Sequence, residues 1–294
     1  MKSITKVIAL LMVLVLAVGC FAACTDTKTE ETTVSGEETQ DKVKVVDISL
    51  TDELYAFGVS KDQPELLTAA NEYIAKVKED GTLETIINNN FGDGTPVAIT
   101  SAEPDETKDQ LVVATNAAFP PFESTEGDNY IGVDMELAYG LAQYLNKELV
   151  IMNIEFDTIL STVEAGYADI AIAGLTVNPD REKQVTFSDS YYTASQMLIV
   201  PADNTTFDEC KTADDVIAIL NTLEADTVIG VQNGTTGQYY VEGDADWGFD
   251  GYDVVCTGFD SGALAVTDML NGNVEYVIID EAPAKTIADA VNGK

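Results

Sequence analysis

The chain has 294 residues, 46% of them hydrophobic, and a formal net charge of −36 at pH 7. This excess of acidic residues argues against nucleic acid as a partner and against electrostatic attachment to an anionic membrane surface. The sequence contains no histidine, which excludes a Ser-His-Asp triad and any histidine-containing zinc site. We expect no metal and no cofactor, in a chain long enough for two compact units.

Residues 1–23 are predicted to be a lipoprotein signal peptide. A basic start precedes the apolar run 7–18, which is too short for a comfortable membrane span. Small residues then precede a cysteine twice, at Cys20 and Cys24, and both stretches resemble the lipobox of bacterial lipoproteins. We prefer Cys24 as the lipidated residue because a polar stretch begins directly after it, with Cys20 as the alternative. A secretory leader cut without lipidation is the weaker alternative.

Residues 24–42 are rich in Thr, Glu and Ser, which predicts a flexible acidic tether. Hydrophobic periodicity then predicts strands at 43–50 and 54–59. It also predicts a helix from Pro64 to Gly81 and a second helix, capped by Thr82, that ends near Phe91. Residues 97–108 are predicted to be a linker.

From residue 111 onward, strands and helices alternate. The first set has strands at 111–115, 149–154 and 169–173 and helices at 134–145 and 157–165. A long strand-like run at 191–200 suits a crossing between units. The second set has strands at 227–231, 252–256 and 274–279 and helices at 213–223, from 235, at 261–270 and at 282–291. This alternation predicts an α/β fold with mainly parallel sheets covered by helices.

Two cysteines lie far downstream of the leader, at Cys210 and Cys256, without CxxC spacing. The sequence leaves open whether they are buried thiols or form a disulfide.

Arg181 is the only arginine in the sequence, and lysine supplies every other positive side chain. A guanidinium differs from an ammonium in its rigid planar fork, which matches a carboxylate at two points. Arg181 follows the apolar run 169–173 and a turn that contains Gly174. The alternative is a loop arginine that pairs with Asp180 or another acid.

Four stretches carry a resemblance to a known family. They are Leu111-Val-Val-Ala-Thr-Asn-Ala-Ala-Phe-Pro-Pro-Phe122 with Gly132-Val-Asp-Met-Glu-Leu137; Ala171-Ile-Ala-Gly-Leu-Thr176 with Arg181 and Phe187-Ser-Asp-Ser-Tyr-Tyr192; Val228-Ile-Gly-Val-Gln-Asn-Gly-Thr-Thr-Gly237; and Val277-Ile-Ile-Asp-Glu-Ala-Pro283. In order and spacing they resemble the extracellular solute-binding proteins of polar amino-acid ABC transporters, family 3. The resemblance covers nearly all of the chain beyond the leader.

The resemblance implies a two-lobed periplasmic-binding-protein type II fold, the Venus flytrap, with a mainly parallel sheet flanked by helices in each lobe. It implies a monomer that binds a free L-amino acid by hinge closure and delivers it to the membrane subunits of an ABC permease. The protein would be held by its lipid at the extracellular face of the bacterial cell membrane. It would not be an enzyme.

The order of the parts departs from the family. Segments that resemble the family's closing elements stand at residues 43–96 instead of at the C-terminal end, which predicts a circular permutation. Lobe 2 would comprise 43–54 and 197–294, lobe 1 would comprise 55–96 and 109–196, and 97–108 would be the joining loop. The alternative is that residues 43–96 remain from an upstream gene copy and pack elsewhere.

The resemblance also implies the ligand-binding residues. Arg181 would bind the carboxylate and Asp280 the ammonium, although Asp280 is also a suitable helix N-cap. The hydroxyl of Thr176 and the carbonyl of Gly174 would contact the ammonium. The remaining members are Gln232, Thr235 and Thr236 at a helix N-terminus, Phe119 and Phe156 as aromatic walls or core residues, and Asn116 facing the ligand side chain. An amide at Asn116 weakens the case for a cationic ligand.

Two other functions are compatible with this fold. Some relatives resemble dehydratases that act on cyclic amino-acid precursors, and Glu281 would be the nearest acid or base for such chemistry. A receptor's sensor module would normally carry a membrane helix and a signalling domain, which we do not find in the sequence.

Overall fold

Two five-stranded sheets form the framework of residues 41–294, the part of the chain that the computed structural model describes. The predicted signal peptide, both candidate lipidation sites (Cys20 and Cys24) and nearly all of the tether lie outside the described residues. The predicted α/β fold class is confirmed, because helices flank both sheets and each sheet contains three parallel strands.

Within residues 41–294 the strands are β1 (Val43–Val46), β2 (Glu53–Tyr55), β3 (Gly58–Ser60), β4 (Gln110–Thr115), β5 (Ala118–Phe119), β6 (Glu123–Glu126), β7 (Asn129–Ile131), β8 (Glu148–Asn153), β9 (Ile170–Ala171), β10 (Val185–Phe187), β11 (Tyr192–Ala194), β12 (Gln196–Pro201), β13 (Val228–Gln232), β14 (Val255–Phe259) and β15 (Tyr276–Asp280). The α-helices are α1 (Pro64–Glu79), α2 (Thr82–Phe91), α3 (Val133–Tyr144), α4 (Ile159–Glu164), α5 (Ala213–Leu220), α6 (Thr236–Glu242), α7 (Gly262–Leu270) and α8 (Glu281–Asn292).

The first sheet has the strand order β10-β3-β9-β4-β8, and the second has the order β1-β12-β15-β13-β14. In each sheet one strand runs antiparallel to both of its neighbours: β3 between β10 and β9 in the first, and β12 between β1 and β15 in the second. Strands from the N-terminal segment therefore complete both sheets.

Two short strands join the sheets. β2 connects β1 to β3, β11 connects β10 to β12, and the two pair antiparallel with Tyr192 opposite Tyr55. Tyr55 is completely buried and belongs to a core cluster that includes residues of both sheets. The connection between the sheets is thus a paired two-stranded hinge packed on aromatic side chains, a typical place for domain closure.

The N-terminal helices pack on the first sheet's side of the molecule. α1 buries Ala70, Tyr73, Ile74 and Val77, and these join the core cluster that contains Leu137 and Leu141 of α3. Gly140 of α3 leaves the space that the Tyr73 ring occupies. A Cβ at Gly140 would lie 2.0 Å from Tyr73 Oη.

We expect Gly140→Ala to lower the free energy of unfolding by about 1–3 kcal/mol, the usual effect of overpacking a core. Adding Tyr73→Phe in the same chain should restore part of the loss, since the closest contact disappears. Thermal melting of both single variants and the double variant measures this. Strictly additive effects would contradict contact between α1 and α3 at this point.

Several predicted boundaries were wrong. The strand expected at 252–256 is β14 at Val255–Phe259, because pairing with β13 sets its position. The run 191–200 is two strands, β11 and β12, rather than one. Thr82 is the first residue of α2 and not its cap, which is Gly81 in the left-handed conformation. The three-stranded meander β5-β6-β7 was missed, because β6 (Glu-Ser-Thr-Glu) gives no apolar alternation.

Residues 97–108 lack helix and extended strand, but Ile99 is buried and forms a backbone bridge with Tyr130. Cys210 and Cys256 are free thiols. Within residues 41–294, no helix is both long enough and apolar enough to span a membrane.

Candidate functional site

Arg181 lies at the start of a one-turn 3-10 helix, between the two sheets, and only 6% of its surface is exposed. The side chain of Asn178 accepts a hydrogen bond from the Arg181 backbone N–H at 2.8 Å, which fixes the turn. Nη1 donates to the carbonyl of Thr176 at 2.9 Å, and Nη2 donates to the carbonyl of Gly234 at 3.0 Å. Gly234 belongs to the loop after β13, so the guanidinium reaches from the first sheet to the second.

Two aromatic rings lie close to the Arg181 guanidinium. Its central carbon lies 5.4 Å from the ring centre of Phe156 and 5.6 Å from that of Trp247, which is cation–π distance. Within residues 41–294 Arg181 forms no ion pair, and Asp180 pairs with Lys183 instead. The alternative of a pairing with Asp180 is therefore wrong. Burial lowers the pKa of the Arg181 guanidinium. Tyr239, Glu53 and Asp280 lie near enough to oppose this shift.

Asp280 ends β15 and is 4% exposed. Tyr55 Oη donates a hydrogen bond to its Oδ1. Asp280 is the N-cap residue of α8, but its side chain makes no capping hydrogen bond. Burial raises the pKa of the Asp280 carboxyl to about 7, with the neighbouring Glu53 carboxylate as the second cause. The Asp280 carboxyl is thus positioned by Tyr55 in the interior and does not cap the N-terminus of α8.

Glu53 is a buried acid that the sequence analysis missed. It begins β2, is 5% exposed, and accepts hydrogen bonds from three side chains: Thr51 at 2.6 Å, Thr176 at 2.6 Å and Gln196 at 2.9 Å. Two carboxylates, Glu53 and Asp280, therefore accompany the single guanidinium of Arg181 in the interior between the sheets.

Side chains from the two sheets contact one another directly. Thr236 Oγ1 lies 3.2 Å from Thr176 Oγ1, and Gln232 Nε2 donates to Asn116 Oδ1 at 3.1 Å. Asn116 Nδ2 in turn donates to the Ile154 carbonyl at 2.8 Å. The hydroxyl of Thr235, which precedes α6, donates a hydrogen bond to the Gln232 carbonyl at 2.8 Å. The predicted polar residues are therefore brought together, although Thr235 is satisfied within its own loop.

The backbone of Gly174 is held by a third buried acid, Asp134. Its backbone N–H donates to Asp134 Oδ2 at 2.7 Å, and its φ of +55° is a conformation that favours glycine. Tyr191 Oη donates to the same carboxylate. Burial raises the pKa of Asp134 to about 7, and burial next to Asp134 raises the pKa of Glu123 well above its usual range. Asp134 thus positions the turn that presents Thr176.

The two predicted aromatic walls have different surroundings. Phe156 is half-buried, and the Arg181 guanidinium carbon lies over its ring at cation–π distance. Phe119 is buried in the core, with its ring 6.0 Å from that of Phe122, and a Cβ at Gly174 would lie only 3.0 Å from the Phe119 ring. Phe156 therefore acts on the guanidinium itself, whereas Phe119 supports the Gly174 turn.

The arrangement suits a small zwitterion. It offers one buried cation, two buried carboxylates, hydroxyls of Thr176 and Thr236, and aromatic walls that exclude water, so both ends of such a ligand can be paired. Among the described residues, no three acidic or cysteine side chains converge to hold a metal ion. Glu281, the candidate acid or base for dehydratase chemistry, forms an ion pair with Lys285 at 2.7 Å.

Sequence reasoning missed Trp247 and Asn178 as well as Glu53 and Tyr55. Trp247 lies in an irregular loop between α6 and β14, where no periodicity marks it, and its uniqueness in the sequence was the only available signal. Asn178 was visible as an N-cap-type residue three positions before Arg181.

The model of the bacterial extracellular solute-binding proteins, family 3, matches residues 111–280. The arginine-binding extracellular protein ArtP of Bacillus subtilis (strain 168) is 38% identical over 97 residues, which cover 33% of this chain and 38% of that protein. ABC transporter arginine-binding protein 1 of Escherichia coli (strain K12) is 30% identical over 176 residues, covering 59% of this chain and 64% of that protein. The chain thus matches less than two thirds of the length of these relatives.

Solved structures give the same picture. An ancestral arginine-binding protein bound to arginine is 30% identical with a TM-score of 0.53, covering 62% of this chain and 75% of its own. An ancestral amino-acid-binding protein described as a precursor of cyclohexadienyl dehydratase is 27% identical with a TM-score of 0.52, covering 71% and 78%.

Proposed function

We propose a function from the premise that this chain belongs to the bacterial extracellular solute-binding proteins of family 3. It captures a free L-amino acid between its two sheets and delivers it to the membrane subunits of an ABC importer. The protein is a monomer. A lipid on Cys24, or on Cys20, anchors it at the outer face of the cell membrane. It binds its ligand without changing it.

One observation carries this proposal: Arg181 and Asp280 are both buried, Arg181 in a turn beside the first sheet and Asp280 at the end of a strand of the second, and neither has an ion-pair partner among residues 41–294. Burying single charges is unfavourable unless a partner compensates them. The carboxylate and the ammonium of an amino acid compensate one each, and the ligand then bridges the two sheets.

The charges favour a ligand with a cationic side chain. Such an amino acid carries two positive groups and one carboxylate, and the interior supplies Asp280, Glu53 and Arg181, two acids and one base. Asn116, whose amide first argued against a cation, is already bonded to Gln232 and to a backbone carbonyl. The relatives named as arginine-binding are consistent with this choice.

Closure works through the paired hinge of β2 and β11. The contacts from Arg181 to Gly234, from Thr176 to Thr236 and from Asn116 to Gln232 all join the first sheet's side to the second. A ligand that binds both sides stabilises this arrangement over an open one by its differential affinity. The permease then recognises the closed form.

A thermal-shift screen of the common L-amino acids against the mature protein tests the function. A ligand at about a hundred times its Kd adds about 2.7 kcal/mol, which should raise the melting temperature by about 5–10 °C. We expect L-arginine or L-lysine to give the largest shift. If a neutral amino acid gives the largest shift, the ligand class is wrong, and if none shifts the melting temperature, the function is wrong.

We expect Arg181→Lys to weaken amino-acid binding by at least about tenfold, the loss of one hydrogen bond to a charged group, since lysine keeps the charge but lacks the planar fork. Lys183→Arg is the matched control. It makes the reverse exchange two residues away, at a side chain that is 66% exposed, and should bind normally. Titration calorimetry measures both. Equal affinity in Arg181→Lys and wild type would reject the assignment.

A further inference from the structure

Glu53 lies in the hinge strand β2, and its carboxylate is hydrogen-bonded to both sides of the molecule. Thr176, in a turn beside the first sheet, donates its hydroxyl proton to Glu53 Oε2 at 2.6 Å. Gln196, the first residue of β12 in the second sheet, donates from Nε2 to Glu53 Oε1 at 2.9 Å. The hydroxyl of Thr51 donates to the same Oε1 at 2.6 Å. Three donors therefore converge on one buried carboxylate, and every bond runs toward it.

The bond to Glu53 determines the direction of the Thr176 hydroxyl. A hydroxyl has one proton and two lone pairs, and a carboxylate has no proton to return. Thr176 therefore gives its only proton to Glu53. Thr236 Oγ1, 3.2 Å from Thr176 Oγ1, must then be the donor in the contact between the two threonines. Toward every other group the Thr176 hydroxyl can only accept.

The Thr176 hydroxyl also lies in the neighbourhood of the Asp280 carboxyl. Thr176 forms an antiparallel bridge with Tyr55, and the Tyr55 phenol donates to Asp280 Oδ1. On the other side of Glu53, Gln196 lies directly opposite Asp280 in the pairing of β12 with β15. An acceptor hydroxyl near a carboxylate suits an ammonium, which has three protons to donate and no lone pair.

We infer that Glu53 is a positioning residue that holds the Thr176 hydroxyl as an acceptor for the ammonium of the ligand. The inference rests on the proposed function. Glu53 itself does not touch the ligand, because its hydrogen bonds are all made within the protein, and it acts through Thr176. The direction of this hydroxyl makes the site select an α-ammonium, which can only donate, over an α-hydroxyl, which can donate or accept.

Replacing Glu53 with glutamine is expected to reverse the Thr176 hydroxyl. Two donors meet Oε1, from Thr51 and Gln196, whereas only Thr176 meets Oε2. The amide oxygen should therefore take the Oε1 position, and the amide NH2 group should point at Thr176. The Thr176 hydroxyl must then accept from residue 53 and turn its own proton away, where it opposes an ammonium.

Glu136→Gln is the matched control. It makes the same exchange at another buried carboxylate that accepts three hydrogen bonds, from the side chains of Asn89 and Asn90 and from the Val97 backbone N–H. Glu136 lies on α3, and none of these partners is bonded to Thr176. A general effect of removing a buried negative charge should therefore appear in the control as well.

The readout is the ratio of two dissociation constants, Kd for an α-hydroxy acid divided by Kd for the matching amino acid. L-arginine and its α-hydroxy acid counterpart are measured by titration calorimetry. If another amino acid gives the largest thermal shift, that compound and its α-hydroxy counterpart are used. We expect Glu53→Gln to lower the ratio by at least about tenfold, one hydrogen bond to a charged group, and Glu136→Gln to leave it unchanged.

Thr176→Val separates positioning from the charge of Glu53. Without the hydroxyl, adding Glu53→Gln should change the ratio several-fold less than it does in the wild-type background. An equal fall in both backgrounds would show that Glu53 acts by its charge alone, and it would overturn the inference.

Melting curves show which variants are folded. If Glu53→Gln does not fold, Thr176→Val alone decides the question: a hydroxyl that accepts from the ammonium predicts a lower ratio, and an unchanged ratio overturns the inference. An unchanged ratio in folded Glu53→Gln also overturns it, while the proposed function stands because the wild type still binds. Wild-type protein that binds no amino acid overturns both.

Discussion

Replacing Asp280 with asparagine is expected to weaken amino-acid binding by roughly two to four orders of magnitude. Leaving one member of a buried ion pair without its partner costs about 3–5 kcal/mol, and here the unpaired member is the ligand ammonium. Asparagine can still accept the hydrogen bond from Tyr55 Oη, so the fold should survive. Titration calorimetry measures the loss of affinity, and a melting curve of the same sample verifies the fold.

A helix-cap role for Asp280 makes a different prediction, and the chain offers a control. Asp215 does cap: its carboxylate accepts the Thr212 backbone N–H in the capping box of α5. Asp215→Asn should lower stability by up to about 1 kcal/mol and leave binding unchanged. If Asp280→Asn behaves like Asp215→Asn, Asp280 is a cap and not a ligand-binding residue.

The raised pKa of Asp280, about 7, adds a pH dependence to this test. The ammonium needs an ionised carboxylate, so affinity should rise by about tenfold per pH unit up to pH 7 and then level off. Stability should change in the opposite direction. Because the folded pKa lies above the unfolded one, the folded state holds more protons between about pH 4 and 7, and stability falls as pH rises through that window. Asp134 adds to the fall.

Asp280→Asn should remove the pH dependence of affinity and the part of the pH dependence of stability that Asp280 contributes. Affinity that is independent of pH between 5.5 and 8 in wild type would show that Asp280 does not titrate at the binding step.

The second large effect concerns residues 41–108. We expect their deletion to leave an insoluble or molten product, because β3 lies inside the first sheet between β10 and β9 and would leave a gap there. The hinge would lose β2, and the second sheet would lose its edge strand β1. The apolar face of α3 would also be uncovered where α1 now packs. Measurement of soluble yield and of the melting transition tests this.

Reordering the same residues should be harmless. A chain of residues 109–294, a short Gly/Ser joint and residues 41–96 is expected to fold and bind the same ligand with similar affinity. The ends are already adjacent: Asn292 Oδ1 accepts the Lys42 backbone N–H at 2.8 Å, and Lys294 pairs with Asp41 at 2.8 Å. Chain breaks at such surface sites are commonly tolerated.

Together the two gene products separate the circular permutation from its alternative. The family model matches residues 111–280, and the segment that completes both sheets lies before the matched region; the permutation stays a prediction that these two products test. A leftover copy of an upstream gene predicts instead a soluble, ligand-competent deletion product, and that result would refute the permutation.

Local sequence patterns predicted the helices and strands better than they predicted which residues contact one another across the fold. Arg181 stood out because it is unique and follows an apolar run, and Asp280 because it ends one. Glu53 was missed because its role depends on the pairing of β2 with β11. In that pairing Glu53 lies opposite Ala194, and no local sequence period encodes a contact between residues so far apart in the chain. Trp247 was missed for a related reason, since an irregular loop carries it to Arg181.

The same tryptophan gives the protein an internal optical probe. It is the only tryptophan in a chain with 12 tyrosines, its ring stacks on Tyr239 with centroids 5.2 Å apart, and it covers the Arg181 guanidinium. Indole fluorescence excited at long wavelength therefore originates from a single loop at the junction of the two sheets. Stopped-flow emission from unlabelled protein would follow the approach of that loop in real time, and it would separate the rate of ligand encounter from the rate of closure.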